Sequence, residues 1–209
     1  PHHRQGHLEG WGSVAMGRLW GDKHPLGSAS IIRTTERMAK QKTIPYEEAR
    51  QAIAALKVWP ANVQFVWKKP ATKKLPAPYS FRTSLALDIE QSTFAEDWFV
   101  ELYYKKSPVP GVRDTLSITL IVNKSRVVAI DDNGPSSHMN KVGVGLPFYQ
   151  QVVDHPHLHM PIAETSYGYA EPLDSTTVQA LWELFLAKAN IIGAPRFELP
   201  EFGQMGFDV

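Results

Sequence analysis

The chain has no cysteine. That excludes disulfides, thiolate nucleophiles and cysteine-ligated zinc together, and it fits a reducing compartment. Long apolar runs are also missing. None approaches the roughly 20 residues that span a bilayer, and no charged segment followed by an apolar one opens the sequence as a secretory leader would. We therefore expect a soluble, cytoplasmic protein with no membrane contact. Net charge is nearly absent: 22 Lys and Arg against 21 Asp and Glu leave +1. Such a balance argues against attraction of nucleic acid by the whole surface, while a local basic patch stays open.

What is present is ordinary for a globular protein, with 43% hydrophobic and 21% charged residues over 209 positions. This is enough chain for one large domain, or for a small one followed by a larger one. Residues 1–30 are punctuated by glycine, and the weakly alternating stretch 14–20 and the β-branched stretch 28–35 read as strands of a small N-terminal element. His2, His3 and His7 read as an arm and are given no role.

Residues 46–56 form the first amphipathic helix, with Thr43 as N-cap, Pro45 in the first turn and Glu47 and Glu48 at the positive end of the dipole. Residues 63–67 (VQFVW) read as a strand. The stretch 68–78, KKPATKKLPAP, reads as a Lys/Pro-rich linker, so we expect a small α/β element over 1–67 and a second domain over 79–209. In that second domain strands are expected at 79–89, 97–105, 115–122 and 126–130, with turn signals between them, as in an antiparallel meander. The aromatic run Trp98, Phe99, Tyr103, Tyr104 reads as core and cross-strand packing in preference to a base-stacking platform. A helix over 175–190, capped by Asp174 or Ser175, shows a core-facing stripe and ends at Gly193 and Pro195. The fold class is α+β, an antiparallel meander packed against a C-terminal amphipathic helix.

Chemistry gathers between residues 130 and 169. Asp131, Asp132 and Asn133 end a strand and enter a Gly-Pro turn, where Asx side chains bond the backbone. His138 and Asn140 follow. His155, His157 and His159 then alternate, so in extended backbone all three share a face. Two chemistries stay open. The three imidazoles, His155, His157 and His159, could hold a divalent metal, completed by His138 or Asp131. Alternatively, two histidines beside a carboxylate could act as general base and acid without any metal. The catalytic candidates are His157, His159, His138 and Asp131. Asn133, Asn140, Arg126 and Lys141 are candidates for binding, the two cations because a phosphate would need steadying.

The run VVAIDDNGPSSHMNKVG, followed by HPHLHM, SYGYAEPL and a helix, resembles a family of small prophage and mobile-element proteins with a D-x-N-G-P-x-H-x-N … H-x-H pattern. The matching positions are Asp131, Asn133, Gly134, Pro135, His138, Asn140, His157, His159, Tyr169 and Ala170. An extra serine before His138 and a longer gap before HPHLH depart from the pattern. A looser likeness runs to toxin components of toxin–antitoxin pairs. The family carries no assigned reaction, so the resemblance supports the site more than an activity. Taken with the clusters, it leads us to expect a mobile-element effector, a phosphodiester-cleaving, RNase-like toxin acting on RNA. The alternative is a non-catalytic phage or plasmid protein that binds and inhibits a host defence protein.

Overall fold

The structure is a computed structural model in which residues 43–71, 76–87, 94–134, 137–174 and 177–200 are described. The strands expected at 14–20 and 28–35 lie outside those residues. Helix α1 spans Tyr46–Ala54. Strands β1 (Lys57–Val58), β2 (Tyr79–Ala86), β3 (Phe94–Lys105), β4 (Thr115–Val122) and β5 (Ser125–Asp132) follow. Four short strands come next: β6 (His138–Met139), β7 (Val152–Val153), β8 (His157–His159) and β9 (Ala170–Pro172). Helix α2 (Val178–Lys188) and strand β10 (Ile191–Ile192) complete the set. The main sheet runs β10-β1-β2-β3-β4-β5-β8-β9, with β6 and β7 forming a separate ribbon. Among the described residues only β1 and β10 pair in parallel, so the sheet is mostly antiparallel and the class is α+β.

The meander β2–β5 follows from period-two alternation. Leu116, Ile118, Leu120 and Val122 of β4 are fully or almost fully buried. The β4–β5 connection is a two-residue hairpin in which Asn123 and Lys124 both have positive φ, 49° and 67°. That backbone matches the twist of the strands it joins.

Pairing registers show which residues share a face. Phe81, Leu102, Ile118, Ile130 and Leu158 lie in one row across β2, β3, β4, β5 and β8. All five are buried in a core shared with Ala49 and Ala52 of α1 and with Leu181, Trp182 and Phe185 of α2. Trp59, Phe65 and Phe197 fill the same core, with Trp59 and Phe81 stacked and Trp182 edge-on to Trp59 at 5.7 Å. The opposite face of the sheet carries the polar row Ser80, Tyr103, Ser117, Asp131 and His157. A helix layer thus covers one face, and the other presents polar side chains.

Four expectations need correction. Residues 63–67 form no strand, yet alternating burial still sends Phe65 and Trp67 toward the core. The stretch 68–78 does not divide the described residues into domains. Strand β1 pairs with both β2 and β10, and Trp59 sits in the common core. Thr43 does not cap α1; Pro45 holds the N-cap position with no side-chain bond. Helix α2 begins later than expected and is capped by Thr177, whose hydroxyl accepts the Ala180 N–H at 3.2 Å.

Lys57 is fully buried, and its ammonium donates to Ala52 O and Ala55 O at 2.5 Å and to Ile53 O at 3.3 Å. It closes the C-terminal end of α1, where unpaired carbonyls favour a cation.

Candidate functional site

Two neighbouring rows of the polar face build the site. In one, Ser117, Asp131 and His157 lie side by side; in the next, Thr119, Ala129 and His159. His157 and His159 are two residues apart on β8, so both project from the same face. Asp131 is held between them and β4.

Ser117 Oγ donates to Asp131 Oδ1 at 2.5 Å, and Arg126 Nη2 lies 3.1 Å from both carboxylate oxygens. His159 Nε2 is 3.3 Å and His157 Nε2 3.9 Å from Oδ2. Burial pushes the Asp131 carboxyl up. The hydrogen bond that His159 gives when both of its ring nitrogens carry protons, the Arg126 guanidinium and the Ser117 hydroxyl more than offset this and hold it well below the usual carboxylate range.

The far sides of both imidazoles rest on the main chain. His157 Nδ1 is 3.0 Å from Asp154 O, and His159 Nδ1 is 3.2 Å from Tyr169 O. A ring nitrogen facing a carbonyl must carry the proton and donate it. In the neutral rings, both Nε2 lone pairs therefore point toward Asp131. Burial, and then His159 beside it, pull the His157 imidazole down to about 4, so this ring is neutral near pH 7.

His138 stands edge-on to His159 with ring centres 4.7 Å apart, and its Nε2 donates to Gly168 O at 3.0 Å. Burial and then His159 hold it below its ordinary value. Tyr167 stacks on His159 at 4.9 Å, and the Arg126 guanidinium lies 5.0 Å from the centre of the same ring. These groups border a cavity of about 320 Å³, which Tyr103 and Ser117 also line. Two further cavities on this face, about 290 and 420 Å³, also have Tyr103 in their walls. Lys105, Lys106 and Arg113 line the larger one.

The structure brings Asp131, His157, His159, His138 and Arg126 together; His155 lines the same cavity with its nitrogens turned to backbone, and Asn133, Asn140 and Lys141 lie outside it. His155 stacks on His157 at 4.6 Å, but its nitrogens are engaged by backbone. Gly134 N–H donates to Nε2 at 3.1 Å, and Nδ1 is 3.3 Å from Asp131 O. Asn133, at φ 53°, donates to Arg113 O and so serves the turn. Asn140 is fully buried, bonded to Phe148 O and to both the N–H and the C=O of Ala170. Lys141 is exposed, outside the residues lining the cavity.

Asp132 points to the opposite side from Asp131, 2.8 Å from Arg113. Burial raises its carboxyl, against the pull of Arg113. Ser117 and Tyr167 were missed from sequence, and Tyr103, read there as core and cross-strand packing, is instead 39% exposed and lines the cavity. Ser117 and Thr119 did leave a trace, as polar residues at alternate places in the otherwise apolar TLSITLIV. No protein-family model, curated protein or solved structure matches the chain.

Proposed function

We propose that the protein cleaves phosphodiesters, with RNA as the substrate, and acts as an effector of a mobile element. The observation that carries this reading is the convergence of the two Nε2 atoms of His157 and His159 on Asp131 in a polar cavity. A carboxylate and imidazoles around one point are where an attacking hydroxyl can lose its proton. Arg126 adds a fixed cation that can stabilise charge developing on a phosphoryl group. Lys105, Lys106 and Arg113 in the neighbouring cavity give a chain of phosphates a favourable path away from the cluster.

The test is incubation of the purified protein with a labelled single-stranded oligoribonucleotide and its DNA counterpart. The double variant His157→Ala, His159→Ala serves as control. Cleavage by the wild type that disappears in the variant supports the reading. Equal rates in the two proteins, or no cleavage of either substrate, overturn it.

A second reading rests on a different observation. The β6–β7 ribbon and the loop between its strands expose Met139, Val144, Leu146 and Val152, with Val144 73% and Val152 56% accessible. Apolar residues displayed together on one arm suit a protein partner. In that reading the chain binds a host defence protein stoichiometrically, and Val144→Asp abolishes the complex without affecting the histidine cluster.

A further inference from the structure

Ligand-type atoms of Asp131, His157 and His159 gather at one point of the polar face, all within 4.8 Å of one another, and the Nε2 atoms of both rings face Asp131 Oδ2. Because both Nδ1 protons are committed to Asp154 O and Tyr169 O, the neutral rings offer no hydrogen at Nε2. Three electron-rich atoms this close repel one another unless something positive lies among them. A single proton on His159 relieves one contact, the 3.3 Å approach to Oδ2, and leaves the His157 lone pair directed at the same oxygen from 3.9 Å. A cation bonded to all three satisfies them together.

We propose that Asp131, His157 and His159 form a binding site for one divalent transition-metal ion. The proposal concerns the same site as the phosphodiesterase reading and rests on it for the chemistry, though not for the binding itself.

Spacing, outer partners and donor type support it. Bonds of ~2.0–2.2 Å in tetrahedral geometry put neighbouring ligand atoms about 3.3–3.6 Å apart; the two imidazole-to-carboxylate distances, 3.3 and 3.9 Å, lie close to this, and the whole set, within 4.8 Å, draws together around the ion. A metal-bound histidine ordinarily donates its second nitrogen to a carbonyl or carboxylate, which fixes the tautomer. Both rings here already do so. Two imidazoles and one carboxylate suit Zn²⁺, Fe²⁺, Co²⁺ or Mn²⁺ better than Mg²⁺ or Ca²⁺, which prefer all-oxygen sets. The set also leaves coordination positions open toward the cavity, where a water or a phosphoryl oxygen could bind.

Arg126 works against the cation. However, a carboxylate presents about four lone-pair directions, so Asp131 can keep its arginine and still turn one lone pair toward a metal. His155, with both nitrogens on backbone groups, is not a ligand.

The experiment is calorimetric titration with Zn²⁺, and with Co²⁺ followed by visible absorption, on the full chain after chelator treatment. His2, His3 and His7 are changed to Gln so that the N-terminal arm cannot bind in place of the site. We expect one ion per chain, a tetrahedral or five-coordinate Co²⁺ spectrum, and a melting temperature that rises with Zn²⁺ and falls with chelator. Asp131→Asn and His157→Gln should each weaken binding beyond the roughly 10–100-fold cost of losing a mere supporting partner. His155→Gln should bind as the parent does. No saturable binding to the parent protein, or binding unchanged in Asp131→Asn and His157→Gln, overturns the proposal. Melting of the parent with and without Zn²⁺ decides the matter even if a variant fails to fold. A bound ion without RNA or DNA cleavage removes the phosphodiesterase reading and leaves the metal site. Cleavage undiminished in chelator, with no ion bound, does the reverse.

Discussion

Arg126 and Asp131 are five residues apart on one strand, yet both project from the same face, with Nη2 3.1 Å from each carboxylate oxygen. An odd separation on a regular strand would put them on opposite faces. The β4–β5 register shifts between Leu120 and Ile121: Leu120 pairs with Val128, but Ile121 pairs with Arg126. Val127 is the extra residue, and Val127 and Val128 are both buried. The bulge moves Arg126 from the helix-covered side to the polar side, where it supports the carboxylate.

Replacing Arg126 by Met should leave the bulge in place and remove the cation. Loss of one preorganised donor to developing charge typically costs about 100-fold or more in kcat, and we expect a loss of that order in RNA cleavage. Arg126→Lys should recover part of the rate, because a point charge cannot span Asp131, Ser117 and Thr119 at once. Full activity in Arg126→Met would show that the guanidinium serves only the fold.

His155 and His157 are adjacent stacked rings that line the same cavity, but only His157 turns a nitrogen toward Asp131 Oδ2. His155→Ala should keep cleavage within a few-fold of wild type while lowering stability by ~1–3 kcal/mol, because the Gly134 N–H loses its acceptor. His157→Ala should abolish cleavage. Assays of both variants beside their urea melts separate the roles, and equal loss of activity in the two would contradict the assignment.

Asn140 should act on stability. Its side chain satisfies the N–H and C=O of Ala170 and the carbonyl of Phe148 inside the protein. Asn140→Ala strands three polar groups, and we expect a cost of about 3 kcal/mol in chemical denaturation. A change below 0.5 kcal/mol, on the order of a surface substitution, would mean that the ribbon carries no stability.

Lys57 provides a pH test. Burial lowers its folded titration to about 8, against 10.5 for the free side chain. Between those values the unfolded chain holds more protons than the folded one, so stability rises with pH. Above about pH 10 Tyr104 opposes this. Burial and Asp114 raise its phenol, so the folded state keeps a proton that the unfolded state loses. The window to measure is therefore pH 8 to 10, where unfolding free energy should climb in the wild type and stay flatter in Lys57→Met. A flat wild-type profile would contradict the burial effect.

The meander was legible from sequence because β2–β4 largely alternate and turn residues separate the strands; β5 alternates less, since its bulge buries Val127 and Val128 together. The expected β4, residues 115–122, matches the observed strand in both bounds. The stretch 63–67 has the same alternation, but among the described residues no strand pairs along it. Alternation reports burial on one side, whereas a strand also needs a partner. For the cluster, HxH on β8 and Asp131 at the end of β5 could be named because same-face spacing is local. Their junction depends on the β5–β8 register, which is set 26 residues along the chain between Asp131 and His157. The position of Arg126 depends on a one-residue bulge that no periodicity shows. Asn133 and Asn140 looked like binding groups because amides that serve the backbone have the same composition signature as those that serve a ligand.

Asp154 and Tyr169 hold the two site histidines through their peptide oxygens, and every residue type offers that atom. A substitution at 154 or 169 keeps that acceptor only if the chain path is kept, and there the side chains matter: Asp154 Oδ1 accepts the His155 N–H, and the buried Tyr169 donates its hydroxyl to Pro147 O. The aim of the cluster is encoded in loop geometry. Relatives of this protein could keep the same reactive geometry with different side chains at those two places, and a search for the site by residue identity would pass over them.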